Sequence, residues 1–344
     1  MNFDLPFLWA LVVGFALAMY IILDGFDLGV GILLLTAKSE TERDLMVQSI
    51  APVWDGNETW LVMVGVGLLG GFPLAYGILL PAFYLPAFCM LMCLAFRGVS
   101  FEFRFQAGAT RRIWDYAFAA GSVGAAVCQG LVVGGMIQGV HVANNSFTGG
   151  ALDFVSPFSI LTGLTLPLGY AYIGASWLAF RTENALAERS RGQALAHLAA
   201  FVVVVMAVVL WAGREQPQLG SGLDASSRAR GPWWNTGLFL AAAMASAIAL
   251  FQRAGAWMFV TSVGVFLVTF GGLELALYPY IVPFRLTVWQ AASAETSQQF
   301  LLIAIALLMP VVLCYSAYSY YVFRGKVRTN APDEEPAKDS LVKA

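Results

Sequence analysis

Apolar residues run almost unbroken through stretches of about twenty positions, at about 7–36, 55–72, 76–96, 115–140, 157–180, 193–213, 233–251, 256–281 and 299–323. A run of that length crosses a bilayer as an α-helix, whereas a transmembrane β-strand would alternate over about ten residues. The pattern predicts an all-α polytopic membrane protein with about nine transmembrane helices. Connections are short and polar, so residues 1–324 read as one transmembrane helical domain. The segment after Arg324, GKVRTNAPDEEPAKDSLVKA, is charged and contains proline. It predicts a disordered cytoplasmic C-terminal tail over 325–344.

Composition sharpens this reading. The chain is 59% hydrophobic and only 12% charged, with a mean hydropathy of +0.72. A soluble domain carries about twice that charged fraction. The net charge of −2 and the lack of a basic domain argue against nucleic acid as a partner. Cys89, Cys93, Cys128 and Cys314 all fall in apolar runs, which suits small packed residues rather than a disulfide framework. The first fourteen residues, MNFDLPFLWALVVG, lack a basic start, so no cleavable signal peptide is expected.

None of the nine runs contains Lys or Arg. With the N-terminus outside, fifteen of the nineteen basic residues face inward and only Arg214, Arg228, Arg230 and Arg285 face outward. The positive-inside bias therefore predicts the N-terminus outside and the C-terminus in the cytoplasm.

That orientation maps the acids. Asp24 and Asp27, in DGFD, lie past the midpoint of the first run, on its inner half. Asp55 and Glu58, in WDGNETW, stand at the inner mouth of the second. Arg97 closes the third run on that side and Asp115 opens the fourth. Each acidic pair is spaced three apart and so shares a helix face. An ionisable group within a span costs about 2.5–3.5 kcal/mol on insertion scales and normally faces protein or water. The spacing predicts a polar funnel, open to the cytoplasm, that handles protons through Asp24, Asp27, Asp55 and Glu58, with Arg97 as a charge partner.

Simpler roles fit some of these positions. Asp55 suits an N-cap for the second helix. Glu58 suits contact with headgroup water, and Trp54 and Trp60 suit interfacial anchors. Capping does not account for Asp24 and Asp27 in mid-span.

Other patterns carry less. GVGLLG at 65–70 spells a nucleotide fingerprint but lies within a lipid span. Gly25/Gly29, Gly67/Gly71, Gly130/Gly134 and Gly135/Gly139 read as close helix contacts, and NET (57–59) and NNS (144–146) match glycosylation sites by spelling alone. The chain has two histidines, His141 and His197. That is too few for a protein ligating several haems, and neither metal-site spacings nor catalytic motifs appear. Glu274, in GGLELALYPY, is an acid near the outer end of the eighth run, apart from the inner group.

Four segments together carry a resemblance: DGFDLGVG (24–31), SIAPVWDGNETWLV (49–62), FRGVSFEFR (96–104) and YPYIVPF…LTVWQAASA (278–294). They resemble subunit II of the cytochrome bd-type quinol oxidases over nearly the whole chain. The compact length and short outer loops look closer to the cyanide-insensitive branch. The resemblance implies two four-helix bundles plus one peripheral helix in a bacterial inner membrane. It implies a related partner, subunit I, that holds two b-type haems and one d-type haem, oxidises quinol and reduces O2 to water with cytoplasmic protons. Subunit II would then have no catalytic residue or metal of its own. Asp55 matches the acid that lines a cytoplasmic proton pathway, Asp24 and Asp27 the DGFD motif, and Arg97 the arginine of the FRGV-type motif. A structural quinone, lipid and small single-span subunits are further partners that the family implies. Mid-span acids also mark proton-coupled secondary transporters, the alternative reading, although no symmetric pair of broken hydrophobic segments appears beyond the DGFD/DGNE echo; a plain scaffold is the third reading.

Overall fold

A computed structural model describes residues 4–217, 219 and 234–327. The predicted tail beyond 327, and Arg228 and Arg230 of the outer segment, lie outside the described residues. The fold is that of an all-α polytopic membrane protein. Among the described residues, seven helices are long and apolar enough to cross a membrane. In chain order the helices are α1 (Leu5–Leu33), α2 (Glu40–Gln48), α3 (Trp54–Gly71), α4 (Pro73–Ala82), α5 (Tyr84–Arg104), α6 (Arg111–Gln138), α7 (Pro157–Arg181) and α8 (Asn184–Glu215). After the undescribed segment follow α9 (Trp234–Phe251), α10 (Trp257–Leu277), α11 (Val288–Ala291) and α12 (Glu295–Val322). Two small hairpins close one end of the molecule, β1 (Val142–Ala143) with β2 (Ser146–Phe147) and β3 (Tyr280–Val282) with β4 (Leu286–Thr287). In the first, Asn144 and Asn145 take positive φ, the conformation that a two-residue turn demands.

One predicted span divides. The run at 76–96 is not a single helix: it breaks at Phe83, between α4 and α5, and α5 then continues to Arg104. Pro86 sets the break, because its ring would collide with the carbonyl of Ala82 in a continuous helix and it has no N–H to donate. Arg97 therefore lies inside a helix instead of closing one. α3 has the length to span, but its polar first turn weakens its apolar character.

α1 and α7 form the centre. α1 packs on α3, α6, α7 and α10; α5 lies on α6, α7 on α8, and α9 on α10. The α1–α7 contact is close because both helices present glycine. A Cβ on Gly29 would fall 1.8 Å from the backbone O of Tyr170, and one on Gly174 would fall 2.5 Å from the backbone of Gly29. Beside that seam Phe26 stacks on Trp177 with centroids 4.4 Å apart. α12 is peripheral, its apolar flank (Phe300, Ile303, Leu307, Val311) exposed and one side resting on α1 and α3.

α2 lies at the end of the molecule opposite the hairpins and is tied down by charge. Arg43 and Arg104 both reach Asp115, at 3.0 and 2.6 Å, while Arg104 and Arg111 reach Asp44 at 2.8 and 2.5 Å. Arg104 and Asp115 are fully buried, so removing either would leave an uncompensated charge, at about 3–5 kcal/mol. Arg189 of α8 grips Glu42 through two hydrogen bonds, at 2.6 and 3.1 Å. These links fix the α1–α2–α3 connection and so set where the first turn of α3 begins.

Candidate functional site

The ends of α1, α3, α5 and α12 that lie away from the hairpins bring a set of polar groups together inside the protein. Asp24 is 0% exposed, Asp27 and Arg97 1%, and Asn57 2%. Arg97 donates from Nη1 to Asp24 Oδ1 at 2.6 Å and from Nη2 to Glu58 Oε2 at 2.8 Å. One guanidinium thus bridges the acid of α1 to the acid of α3. Asp27 faces a different neighbour. Its Oδ2 accepts from Asn57 Nδ2 at 2.7 Å, and that same nitrogen lies 3.3 Å from the carbonyl of Leu23. Tyr320 of α12 donates its hydroxyl to Asn57 Oδ1 at 2.9 Å. Asp27 Oδ1 and Asp24 Oδ2 are buried with no protein partner.

The local sequence explains the arrangement. Three residues on a helix turn through about 300°, so Asp24 and Asp27 share one side of α1 but are offset around it. Asp24 is therefore aimed at α5 and Asp27 at α3. On α3, Asn57 and Glu58 are about 100° apart, so the one turns to α12 and the other to α5. An all-carboxylate cluster would repel itself. Arg97 supplies a counter-charge for Asp24 and Glu58, and the neutral amide of Asn57 serves Asp27.

A second buried polar chain continues deeper. Tyr170 donates to Gln129 Oε1 at 2.6 Å, and Gln129 Nε2 donates to the Tyr20 hydroxyl at 2.7 Å. Tyr20 stands one helical turn from Asp24.

Four sequence expectations are placed differently. Asp55 is not the N-cap of α3: Val53 holds that position without a side-chain cap, and Asp55 sits exposed in the first turn. Asp55 therefore lies at the rim, one helical turn before Glu58 of the Arg97 bridge. Trp60 is not an interfacial anchor. It is 1% exposed, packed with Ala16 and Tyr20 and set edge-on to Phe15, because the face of α3 one and a half turns from Trp54 looks inward. Trp54 is half-buried and lies against Phe101, centroids 5.1 Å apart. Asp115 does not join the DGFD group but belongs to the Arg43–Arg104 network.

Sequence reasoning missed Asn57, Tyr320 and the Tyr20–Gln129–Tyr170 chain. Asn57 stood inside the quoted WDGNETW, and the tyrosine-rich SAYSYY near the end of α12 was the signal for Tyr320. His197 bonds its own helix, its Nδ1 lying 2.7 Å from Gln193 O, and His141 is exposed. Glu274 lies against Gly14 of α1, apart from the Asp24–Arg97 cluster. Among the described residues, no three His, Cys, Asp or Glu side chains converge as a metal ion requires.

Chemically, the cluster can hold charge inside the protein and can exchange protons at carboxylates reached through hydrogen-bonding side chains. Two small spaces adjoin it. A cleft of about 20 Å³, room for about one water, lies between α3 and α12 and is lined by Pro52, Val53, Gly56, Asn57, Ser316 and Tyr320 among others. A second gap, too narrow to hold a water, lies between Asp27, Ile50, Trp54, Arg97, Phe101 and Phe118.

Known proteins share this chain's sequence and fold. The family profile described as "Cytochrome bd terminal oxidase subunit II" matches residues 5–323. The cytochrome bd-I ubiquinol oxidase subunit 2 of Escherichia coli (strain K12) is 30% identical, over 94% of this chain and 95% of that protein. The cytochrome bd ubiquinol oxidase subunit 2 of Bacillus subtilis is 27% identical, over 94% of this chain and 97% of that one. Among solved structures, a chain of the bd oxidase from Geobacillus thermodenitrificans shares the fold, with a TM-score of 0.75 and 20% identity. That likeness covers 94% of this chain and 98% of the other.

Proposed function

Because the chain belongs to the cytochrome bd terminal oxidase subunit II family, we propose that its inner polar cluster conducts cytoplasmic protons toward a haem-bearing subunit I. The chain is a multi-pass protein of the bacterial inner membrane and a subunit of a quinol:oxygen oxidoreductase complex whose haems belong to the complex. In this reading two b-type haems and one d-type haem sit in subunit I and carry electrons from quinol to O2. Subunit II then contributes stability and proton access, with its N-terminus outside and its C-terminus in the cytoplasm. Lipid, a structural quinone and small single-span subunits complete the assembly.

The observation that carries the reading is the Arg97 bridge between buried Asp24 and half-buried Glu58, beside buried Asp27. Charges are expensive at this depth and persist where they serve a pathway or a switch. Asp55, exposed at the rim, collects protons from water. Glu58 is the next acid inward, and the Arg97 guanidinium keeps two carboxylates close without mutual repulsion. A proton-coupled transporter would use the same acids, but family membership gives this chain an oxidase as its setting.

The test is Asp55→Asn in the two-subunit complex. With haem spectra unchanged, quinol-driven proton uptake and O2 consumption fall, by about a hundredfold or more for a lost proton-transfer group. Wild-type rates in an assembled Asp55→Asn complex would remove Asp55 from the pathway.

A further inference from the structure

We propose that the cleft between the first turn of α3 and the last turns of α12, with room for about one water, is a proton inlet to Asp27, gated by the side chain of Asn57. This deepens the proton-access reading and rests on it, but it names a different approach from the Asp55–Glu58–Arg97 side.

Three observations carry it. The cleft is polar where it meets α12, lined by Tyr315, Ser316, Ser319 and Tyr320, and its floor is Asn57. Behind Asn57 stands Asp27, 1% exposed, with Oδ2 held by the amide and Oδ1 lacking any protein partner. The far side of Asp27 is closed by Ile50, Trp54, Phe101 and Phe118, with Arg97 the one polar lining group there. Water therefore approaches Asp27 more readily from the hydroxyl-lined side than through an aromatic wall.

Asn57 itself cannot relay the proton. A carboxamide accepts at Oδ1 and donates at Nδ2 but has no proton to release near neutral pH. Its orientation is fixed at both ends, by the Tyr320 hydroxyl at Oδ1 and by Asp27 and Leu23 O at Nδ2. It is a latch: while both bonds hold, cleft water is kept from the carboxylate. When the side chain swings aside, hydronium in the cleft gives one proton to an Asp27 oxygen. One O–H bond forms at Asp27 as one breaks on hydronium, leaving water. The charged and titratable groups facing Asp27 are Asp24 on its own helix, Glu58 on α3, Arg97 on α5 and Tyr320 on α12.

Gly56 provides the test. A Cβ there meets nothing nearer than Tyr315 Cε1 at 4.0 Å, so Gly56→Leu fills the cleft without striking the backbone. In the purified two-subunit oxidase, single-turnover proton uptake is followed with a pH-indicator dye while haem spectra report assembly. Gly56→Leu slows uptake by about tenfold, and Gly65→Ala, on the same helix facing open space, keeps the wild-type rate. Should Gly56→Leu fail to assemble, Ser316→Leu plugs the cleft from α12. Wild-type uptake in an assembled plugged variant overturns the inlet. If Asp55→Asn is slow in that same assay, the broader proton-access reading survives the loss of this inlet. If Asp55→Asn and Asp27→Asn are also unaffected, both fall.

Discussion

Arg97 and Asp24 form a buried ion pair, 2.6 Å from Nη1 to Oδ1, across 73 positions of sequence and two helices of a membrane protein. Each is at most 1% exposed, so neither charge has water to fall back on. Removing one partner is costlier than never having had the pair.

Arg97→Ala leaves Asp24 as a buried charge without its counter-ion and is expected to lower stability by about 3–5 kcal/mol. The thermal unfolding midpoint of the detergent-solubilised complex measures the loss. Asp24→Asn in the same background recovers part of it, because the orphaned charge is gone. An Arg97→Ala complex as stable as the parent would mean that the bridge is not holding α1 to α5.

The α1–α7 seam makes a second prediction. Gly29→Ala places a methyl 1.8 Å from the Tyr170 carbonyl oxygen, a backbone atom that cannot rotate away. Overpacking typically costs about 1–3 kcal/mol, and the upper end is expected where the struck atom is backbone. Gly264→Ala meets nothing within 4 Å and is expected to be neutral or to stabilise by up to about 1 kcal/mol, since alanine favours helix. Comparable yields of folded chain from the two variants would show that the helices approach less closely.

Stability also responds to acid through Glu42, which lies on α2 outside the spans. The hydrogen bond from Arg189 holds its carboxyl below the ordinary glutamate value, burial opposes the shift, and the Lys38 backbone N–H adds to it. A lowered value in the folded state means that the contribution is present above the unfolded value and is lost as pH falls through the folded one. Glu42→Gln should therefore be less stable than the parent at pH 7, and the gap should close as the solution is acidified below about 4. Melting curves across pH measure it. A gap that is constant over that range would mean that the Arg189 contact acts through packing alone.

Much of the fold was legible because lipid demands long apolar helices and most span boundaries are marked by charge. The break at Phe83 was harder to read. Pro81 and Pro86 sit in an apolar run that looks continuous by hydropathy, and the second proline ends a helix without making the run polar. By sequence Arg97 and Arg104 read as loop charges, because arginine within a membrane-spanning helix is rare. The structure buries both against carboxylates supplied by other helices. Spacing along the chain placed Asp24 and Asp27 on one helix and gave their depth. It could not say that one faces Arg97 and the other Asn57, since those partners lie 73 and 30 positions away. The Tyr320–Asn57 bond spans 263 positions and has no local signature at all.

The central claim is that buried carboxylates of this chain handle protons for chemistry performed in its partner. It is tested most directly by single-turnover proton uptake from the cytoplasmic side in liposomes containing the Asp27→Asn complex, with the haem complement verified by its spectrum. Uptake slowed by about a hundredfold or more relative to the parent is the predicted result. Uptake at the parent's rate, with assembly and haems intact, would contradict the account.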